Sequence, residues 1–350
     1  MKIVITTVQI PFIRGGAEIH AENLKKALIA HGHETELIAI PFKWYPPEKI
    51  LDQMLACRLL DLTESDGQKI DLLIGLKFPA YLIPHPNKVI WMLHQHRPAY
   101  DLWACSLGDL TIYPNGSVVR EAIWKADREL IPEAKKIFTN SLNVSRRLEN
   151  HCGILSPPLY HPPLNAEKFY REEPAAESYL FFPSRINPNK RQHLVLEAMA
   201  LTGHDVRVLF ASSAVHPKYF DEIKKLVSKY NLEQRVEWLG EVSEEEKLRL
   251  YARSLGVLYP PVDEDYGYVT LEAMLASKPV ITCTDSGGPL EFVIPGQTGL
   301  ECDPTPAALA RAMDTLYEDR TQSTAMGAAA RDHYESLKIS WTNVVENLVS

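Results

Sequence analysis

The strongest constraint in this sequence is an alternation that runs through the chain twice. Short, β-prone apolar runs take turns with segments of helical pattern. Such alternation specifies parallel sheets, because a parallel neighbour is reached only through a crossover, and the crossover is usually a helix. In the first series the predicted strands are Lys2–Val8, Glu34–Ile40, Asp71–Gly75, Val89–His94 and Lys136–Thr139. Helices are predicted over Ala17–His31, Ser117–Leu130 and Leu142–His151, and Phe42–Ser65 reads as a loop and a helix. In the second series the strands are Tyr179–Phe182, Val206–Ala211, Val236–Leu239, Leu255–Tyr259 and Val280–Cys283. Helices over Arg191–Ala200, Tyr219–Tyr230, Ser243–Arg253 and Val269–Ser277 fill the gaps, and Thr305–Tyr317, Thr321–Leu337 and Trp341–Val349 follow.

Pro157, Pro158, Pro162 and Pro163 fall within seven positions between the two series and mark a linker. At 350 residues the chain also exceeds a usual single core. The expectation is an α/β protein with a doubly wound unit over 1–165, a second over 166–335 and a final helix over 336–350. Two such units would face a central cleft, and ligands in sheets of this kind bind beyond the carboxyl ends of the strands.

Composition narrows the function classes. Hydrophobic residues make up 45% and charged residues 23%, ordinary for a soluble globular protein. A net charge of −8 argues against nucleic acid as a partner, since that needs a basic face. The excess negative charge falls after residue 165 and the first half is near neutral, so an anionic membrane would more naturally meet that half. The stretch with Arg120, Lys125, Arg128, Lys135 and Lys136 could touch lipid, but interspersed acids favour a solvated helix face. The five cysteines are scattered without a C-x-x-C pair, which reads as reduced thiols rather than a disulfide framework or zinc site. The run Met1–Thr7 is too short and polar for a signal peptide, and no apolar run approaches the ~20 residues of a membrane span. A cytoplasmic protein is expected, with at most weak peripheral contact at the inner membrane face.

The chemistry concentrates between Leu255 and Asp285. Pro260 and Pro261 stop a strand, an acidic turn follows (Asp263, Glu264, Asp265, Tyr266, Gly267, Tyr268), and a helix starts near Val269. Backbone N–H groups at such a helix start suit an anion such as phosphate. Glu264 lies before the helix and Glu272 one turn inside it. Carboxylates are poor phosphate ligands but good acceptors for sugar hydroxyls. Amides for a diphosphate beside carboxylates for hydroxyls suit a nucleotide sugar. A solvated acidic loop is the structural alternative. A second loop, Pro183–Arg191, opens the second series and holds Arg185, Lys190 and Arg191. Arginine forks onto phosphate oxygens, lysine supplies a point charge, and both would oppose charge developing on a leaving diphosphate.

Glu264-x7-Glu272 with Gly267 between, continued by Leu271-Glu272-Ala273-Met274, Pro279-Val280-Ile281 and Ser286-Gly287-Gly288-Pro289-Leu290-Glu291, resembles the E-x7-E signature of family 4 glycosyltransferases. Arg185 and Lys190 resemble that family's R-x4-K element. The resemblance covers nearly the whole chain and implies the GT-B fold, with two Rossmann-like domains and a C-terminal helix, entered near Ser340-Trp341, that crosses back to the first domain. It implies a retaining hexosyltransferase that moves a sugar from a UDP-sugar, or else a GDP-sugar, to a saccharide, lipid-linked or small-molecule hydroxyl. By that implication Arg185 and Lys190 neutralise the diphosphate in place of a metal, and no cofactor is needed. Glu264 holds sugar hydroxyls, Glu272 holds the ribose, and the Glu241–Ser243 segment, Val242 included, lines the nucleobase pocket. Tyr266, Gly267, Tyr268 and Val269 complete the donor cradle. The leaving phosphate takes the acceptor proton, with a covalent Glu264 intermediate as the alternative.

In the first domain, Arg14-Gly15-Gly16-Ala17-Glu18 resembles the family's glycine loop, which places Gly15 and Gly16 towards acceptor and Gly16 towards donor phosphate. His94, at the end of a strand, matches the family histidine that contacts the transferred sugar; a capping or packing histidine is the alternative. His94 and His96 lack an evident third metal ligand, and Asp263-Glu264-Asp265 is a D-x-D by coincidence of position, so no metal is expected. After Val206–Phe210 the family often has a glycine-rich turn, whereas this chain reads Ala211-Ser212-Ser213-Ala214, a departure that bears on donor identity. Two other readings remain: a catalytically silent sugar-nucleotide-binding partner, and another GT-B activity such as a sugar-nucleotide epimerase.

Overall fold

A computed structural model describes residues 1–12, 15–105, 107–212 and 216–350. They divide into two units, Met1–Leu164 with Ser340–Ser350, and Asn165–Ile339. The sequence reading sets these limits at 165 and 336 instead.

In the first unit the chain runs β1 (Lys2–Gln9), α1 (Gly16–Ala30), β2 (Glu34–Pro41), α2 (Glu48–Leu59), a small antiparallel pair β3 (Glu64–Ser65) and β4 (Gln68–Lys69), β5 (Leu72–Lys77), β6 (Lys88–His94), α3 (Gly116–Leu130), β7 (Lys136–Thr139) and α4 (Leu142–Cys152). The main sheet is parallel in the order β2-β1-β5-β6-β7. Its inner strands read as continuous apolar runs because both faces are covered. Along β6, Val89, Trp91 and Leu93 face a cluster with Leu24 and Leu28 of α1, while Ile90 and Met92 face a cluster with Ile123 and Leu148 of α3 and α4. That is the two-residue alternation of a strand between two layers.

Helix α11 (Trp341–Val349) belongs to this unit although some 175 residues separate it from Leu164. Ser340 caps it, its hydroxyl accepting the Asn343 N–H at 3.1 Å. Val344, Val345 and Leu348 are buried against Leu24 and Leu28, and the Trp341 ring lies 6.2 Å from that of Trp91.

The second unit runs β8 (Leu180–Pro183), α5 (Gln192–Met199), β9 (Val208–Ala211), α6 (Pro217–Lys229), β10 (Val236–Gly240), α7 (Glu244–Arg253), β11 (Gly256–Leu258), α8 (Tyr268–Leu275), β12 (Val280–Cys283), β13 (Gly299–Cys302), α9 (Pro306–Glu318) and α10 (Arg320–Ser336). Its six-stranded parallel sheet has the order β10-β9-β8-β11-β12-β13. Strand β13 corrects the sequence reading, which stops at Cys283. Gly299-Leu300-Glu301-Cys302 is short, opens on glycine and carries a carboxylate, so it lacks the apolar run of a buried strand; it survives as an edge paired with β12. Among the described residues no helix is long and apolar enough to cross a membrane.

Candidate active site

Open parallel sheets bind ligands where the strand order reverses. In the second unit that reversal lies between β8 and β11, which pair directly. The loops leaving these two strands carry Arg185 and Lys190 on one side and Glu264 on the other.

The loop after β8 is fixed by its own backbone. Ile186 N–H donates to the Ser212 hydroxyl at 3.1 Å, and Gln192 Nε2 donates to the Arg185 carbonyl at 2.9 Å. Asn187 Oδ1 accepts the Asn189 N–H at 3.2 Å and opens a short turn over Pro188–Lys190. Val262 N–H then donates to the Asn189 carbonyl at 2.8 Å, tying this loop to the one after β11.

The Lys190 ammonium, on a side chain 7% exposed, forms an ion pair with Glu264 Oε2. It lies 3.4 Å from the Tyr259 hydroxyl and 5.5 Å from that ring's centroid. Burial raises the Tyr259 phenol well above its ordinary value, the Glu264 charge adds to this, and the nearby Arg185 charge opposes it. Arg185 itself is exposed. Arg191, the third cation of the loop, has a different task. With φ 60° it forks onto Asp285 at 2.6 and 2.5 Å and braces the loop after β12.

That second loop is the mould for the acidic turn. Asp263 N–H donates to the Asp285 carbonyl and Glu264 N–H to the Ser286 carbonyl, both at 2.9 Å. Gly288 N–H returns a bond to the Glu264 carbonyl at 2.8 Å. A Cβ on Gly288 would lie 2.6 Å from the Tyr266 carbonyl oxygen, so glycine is required by close approach of two backbones. Gly267 caps α8 at φ 87°, where a Cβ would press on Pro289 at 3.0 Å. The Ser286-Gly287-Gly288-Pro289 string therefore shapes the turn that carries Glu264.

Glu272, on α8, is 8% exposed. Its Oε1 accepts from Lys247 Nζ and its Oε2 from the Tyr251 hydroxyl, at 2.8 and 2.7 Å. Both partners lie on α7, four positions apart on one face. The sequence reading missed them; the i, i+4 spacing after the Ser243 cap was the available signal. The other donor-cradle residues divide. Val242 is half-buried just before that cap, and Val269 lies in the first turn of α8. Tyr266 is buried with its ring against Phe292 at 5.7 Å, and Tyr268 packs edge-on to Tyr266 at 5.4 Å, so the two tyrosines contribute core as well as backbone to the turn.

In the first unit Gly15 caps α1 in extended backbone, its N–H donating to Glu18 Oε2 at 2.8 Å, and Gly16 is exposed in the first turn. Neither glycine is held at positive φ. Arg14 lies outside the described residues, as do Ser213 and Ala214 of the departure noted above. His94 ends β6, with Nδ1 2.6 Å from the Gln95 carbonyl. His96 points inward: Phe42 and Phe78 flank it at 6.2 and 5.5 Å, and its buried Nε2 has no hydrogen-bond partner. The segment between them is anchored by fully buried Asp127, which accepts from Gln95 Nε2, the Tyr100 hydroxyl and the Tyr81 hydroxyl at 2.8, 2.8 and 2.9 Å. Part of the basic stretch is used internally. Arg120 lies between the Trp103 and Trp124 rings at 4.2 and 4.1 Å, Arg128 donates to the His151 carbonyl and Lys136 to the Ser350 hydroxyl.

Two units, each built on a parallel α/β sheet, are the architecture of the GT-B fold. Solved structures agree in fold. Sucrose-phosphate synthase from Thermosynechococcus elongatus superposes with a TM-score of 0.76 at 18% identity, covering 99% of this chain and 96% of that one. The Anabaena protein HepE, solved in complex with UDP and glucose, superposes with a TM-score of 0.69 at 19% identity, covering 99% and 98%. Residues 165–333, nearly all of the second unit, match the model of the family described as "Glycosyl transferases group 1". Among curated proteins the chain is 34% identical over 205 residues to "Alpha-1,3/1,6-mannosyltransferase ALG2" of Homo sapiens, over 58% of this chain and 42% of that protein. The chain spans 31 to 62% of the length of the first curated relatives it matches.

Proposed function

We propose that this protein transfers a hexosyl group, with retention and without a metal ion, from a nucleoside-diphosphate sugar to a hydroxyl acceptor. The observation that carries the proposal is the Lys190–Glu264 pair at the β8–β11 reversal, with Arg185 exposed on the same loop. A diphosphate arriving there meets Arg185 and draws on Lys190. Glu264 then exchanges an ammonium partner for sugar hydroxyls, and the turn at Gly267–Val269 offers N–H groups to the phosphates. As the glycosidic bond breaks, charge grows on the leaving diphosphate, and fixed cations lower that barrier. The leaving phosphate oxygen takes the acceptor proton. On this reading Val242 borders the nucleobase. The HepE complex with UDP and glucose makes UDP-sugars the first donors to test, and the mannosyltransferase relative adds mannosyl donors, with GDP as the second base to try. A saccharide or lipid-linked alcohol is the acceptor class, and membrane contact, if the acceptor is a lipid, is peripheral.

The test is nucleotide release from a donor panel, with and without acceptors, in the wild type and in Arg185→Ala and Lys190→Ala. Each charge-assisted contact contributes about 1.5–3 kcal/mol, so each variant should lose roughly ten- to hundredfold in donor affinity or rate. Wild-type behaviour of the double variant would overturn the assignment.

A further inference from the structure

We propose that Tyr251 is a positioning residue for recognition of the nucleotide ribose, acting through Glu272; this rests on the donor site proposed above. The two partners of Glu272 are not equivalent. The Tyr251 side chain is fully buried between Phe169 and Phe181, whose rings lie 5.7 and 5.0 Å from its own. Its hydroxyl reaches Oε2 from the core side, and burial together with the Glu272 charge holds the phenol protonated as a donor. Lys247 holds Oε1 from a side chain 28% exposed. A ligand from solvent can therefore replace or share only the Lys247 contact.

This asymmetry divides the carboxylate. One oxygen is committed to Tyr251, which fixes the carboxylate plane. The other is held ready by an ammonium that can move aside when vicinal ribose hydroxyls arrive as donors. A lone carboxylate on α8 would be free to rotate about its last torsion, which is broad for glutamate. With Oε2 pinned, the lone pairs of Oε1 stay where a ribose can meet them. The chemistry selects a cis-diol of a nucleoside, with no commitment to the base.

The experiment measures discrimination and not affinity alone. Dissociation constants of UDP and GDP are compared by calorimetry with those of their 2′,3′-dideoxy analogues, for the wild type and Tyr251→Phe. In the wild type, loss of hydroxyls that bond a carboxylate should weaken binding roughly ten- to hundredfold. In Tyr251→Phe the ratio should fall to about threefold or less, while the dideoxy nucleotides bind both proteins alike. A general loosening of the fold would weaken both nucleotides together and leave the ratio unchanged. Tyr251→Met removes the same hydroxyl with an unbranched side chain and gives the same readout if the phenylalanine variant does not fold. An unchanged ratio in a folded variant overturns the role of Tyr251 and leaves the donor site standing. No binding of either diphosphate by the wild type overturns the donor site and this inference with it.

Discussion

Acidification should destabilise the first unit through His96, and Phe should relieve that loss. The His96 ring is buried, its Nε2 lacks a partner, and burial lowers its pKa from the ordinary 6.5 to about 3, with the His94 charge a second cause. The charged form is therefore disfavoured in the fold. Between pH 6.5 and 3 the unfolded chain binds the extra proton, so stability is complete above about pH 6.5 and is lost as pH falls. At pH 5.0 the unfolded histidine is almost fully protonated and the folded one is not, which costs about 2 kcal/mol relative to pH 7.5. His20, also lowered to about 3 by burial, adds a loss of the same sign. Asp127 works against both. Burial raises its carboxyl to about 6, so protonation below that value favours the fold by about 1 kcal/mol at pH 5.0. His96→Phe keeps an aromatic ring between Phe42 and Phe78 and removes only the first of these contributions. The assay is urea denaturation at pH 7.5 and 5.0 followed by tryptophan fluorescence. Trp44, Trp91, Trp103, Trp124 and Trp341 belong to the first unit and only Trp238 to the second, so the signal reports the unit that holds His96. The variant should lose about 2 kcal/mol less than the wild type on acidification. Equal losses would refute the argument.

The two glutamates should separate kinetically: Glu264→Gln should depress kcat more than it raises donor KM, and Glu272→Gln the reverse, because only a contact that tightens in the transition state governs kcat. Exchanged patterns in steady-state kinetics at saturating acceptor would mean exchanged roles. Turnover should survive excess EDTA; abolition by chelation with rescue by Mg²⁺ or Mn²⁺ would return Asp263-Glu264-Asp265 to consideration as a metal motif. Gly288→Ala should cost about 1–3 kcal/mol of second-unit stability, since its Cβ would meet the Tyr266 and Asp265 carbonyl oxygens at 2.6 and 2.9 Å. An unchanged melting temperature would show that the two backbones part easily.

What could be read from the sequence was what lies in short windows. The apolar runs of β1, β6 and β12 and the punctuation around Gly267 are local signals, and they placed the acidic turn at a strand-to-helix junction. The strand order was not written there, nor were contacts between distant residues. Lys190 and Glu264 are 74 positions apart, and Tyr251 and Glu272 are 21 apart on different helices, so no periodicity links them. Residue type alone did not separate the loop's third cation from its neighbours, yet Arg191 is forked onto Asp285, 94 positions away. Strand β13 was hidden for a different reason: an edge position tolerates Gly299 and Glu301, and so it lacks the composition that betrays a buried strand.

Helix α11 has a consequence for how the protein is made. The second unit is one unbroken stretch, whereas the hydrophobic layer of the first is completed by residues synthesised after it. At roughly 5–20 residues per second, about 10–35 s pass between the ribosome's addition of Leu164 and of Ser340. Through that interval Leu24, Leu28 and the Trp91 edge lack the cover that Val344, Val345 and Leu348 later provide. The second unit is itself being synthesised through that interval, so the two units become complete almost together and the first gains no head start from being made first. A stall anywhere before codon 340 leaves the amino-terminal half with an open apolar seam.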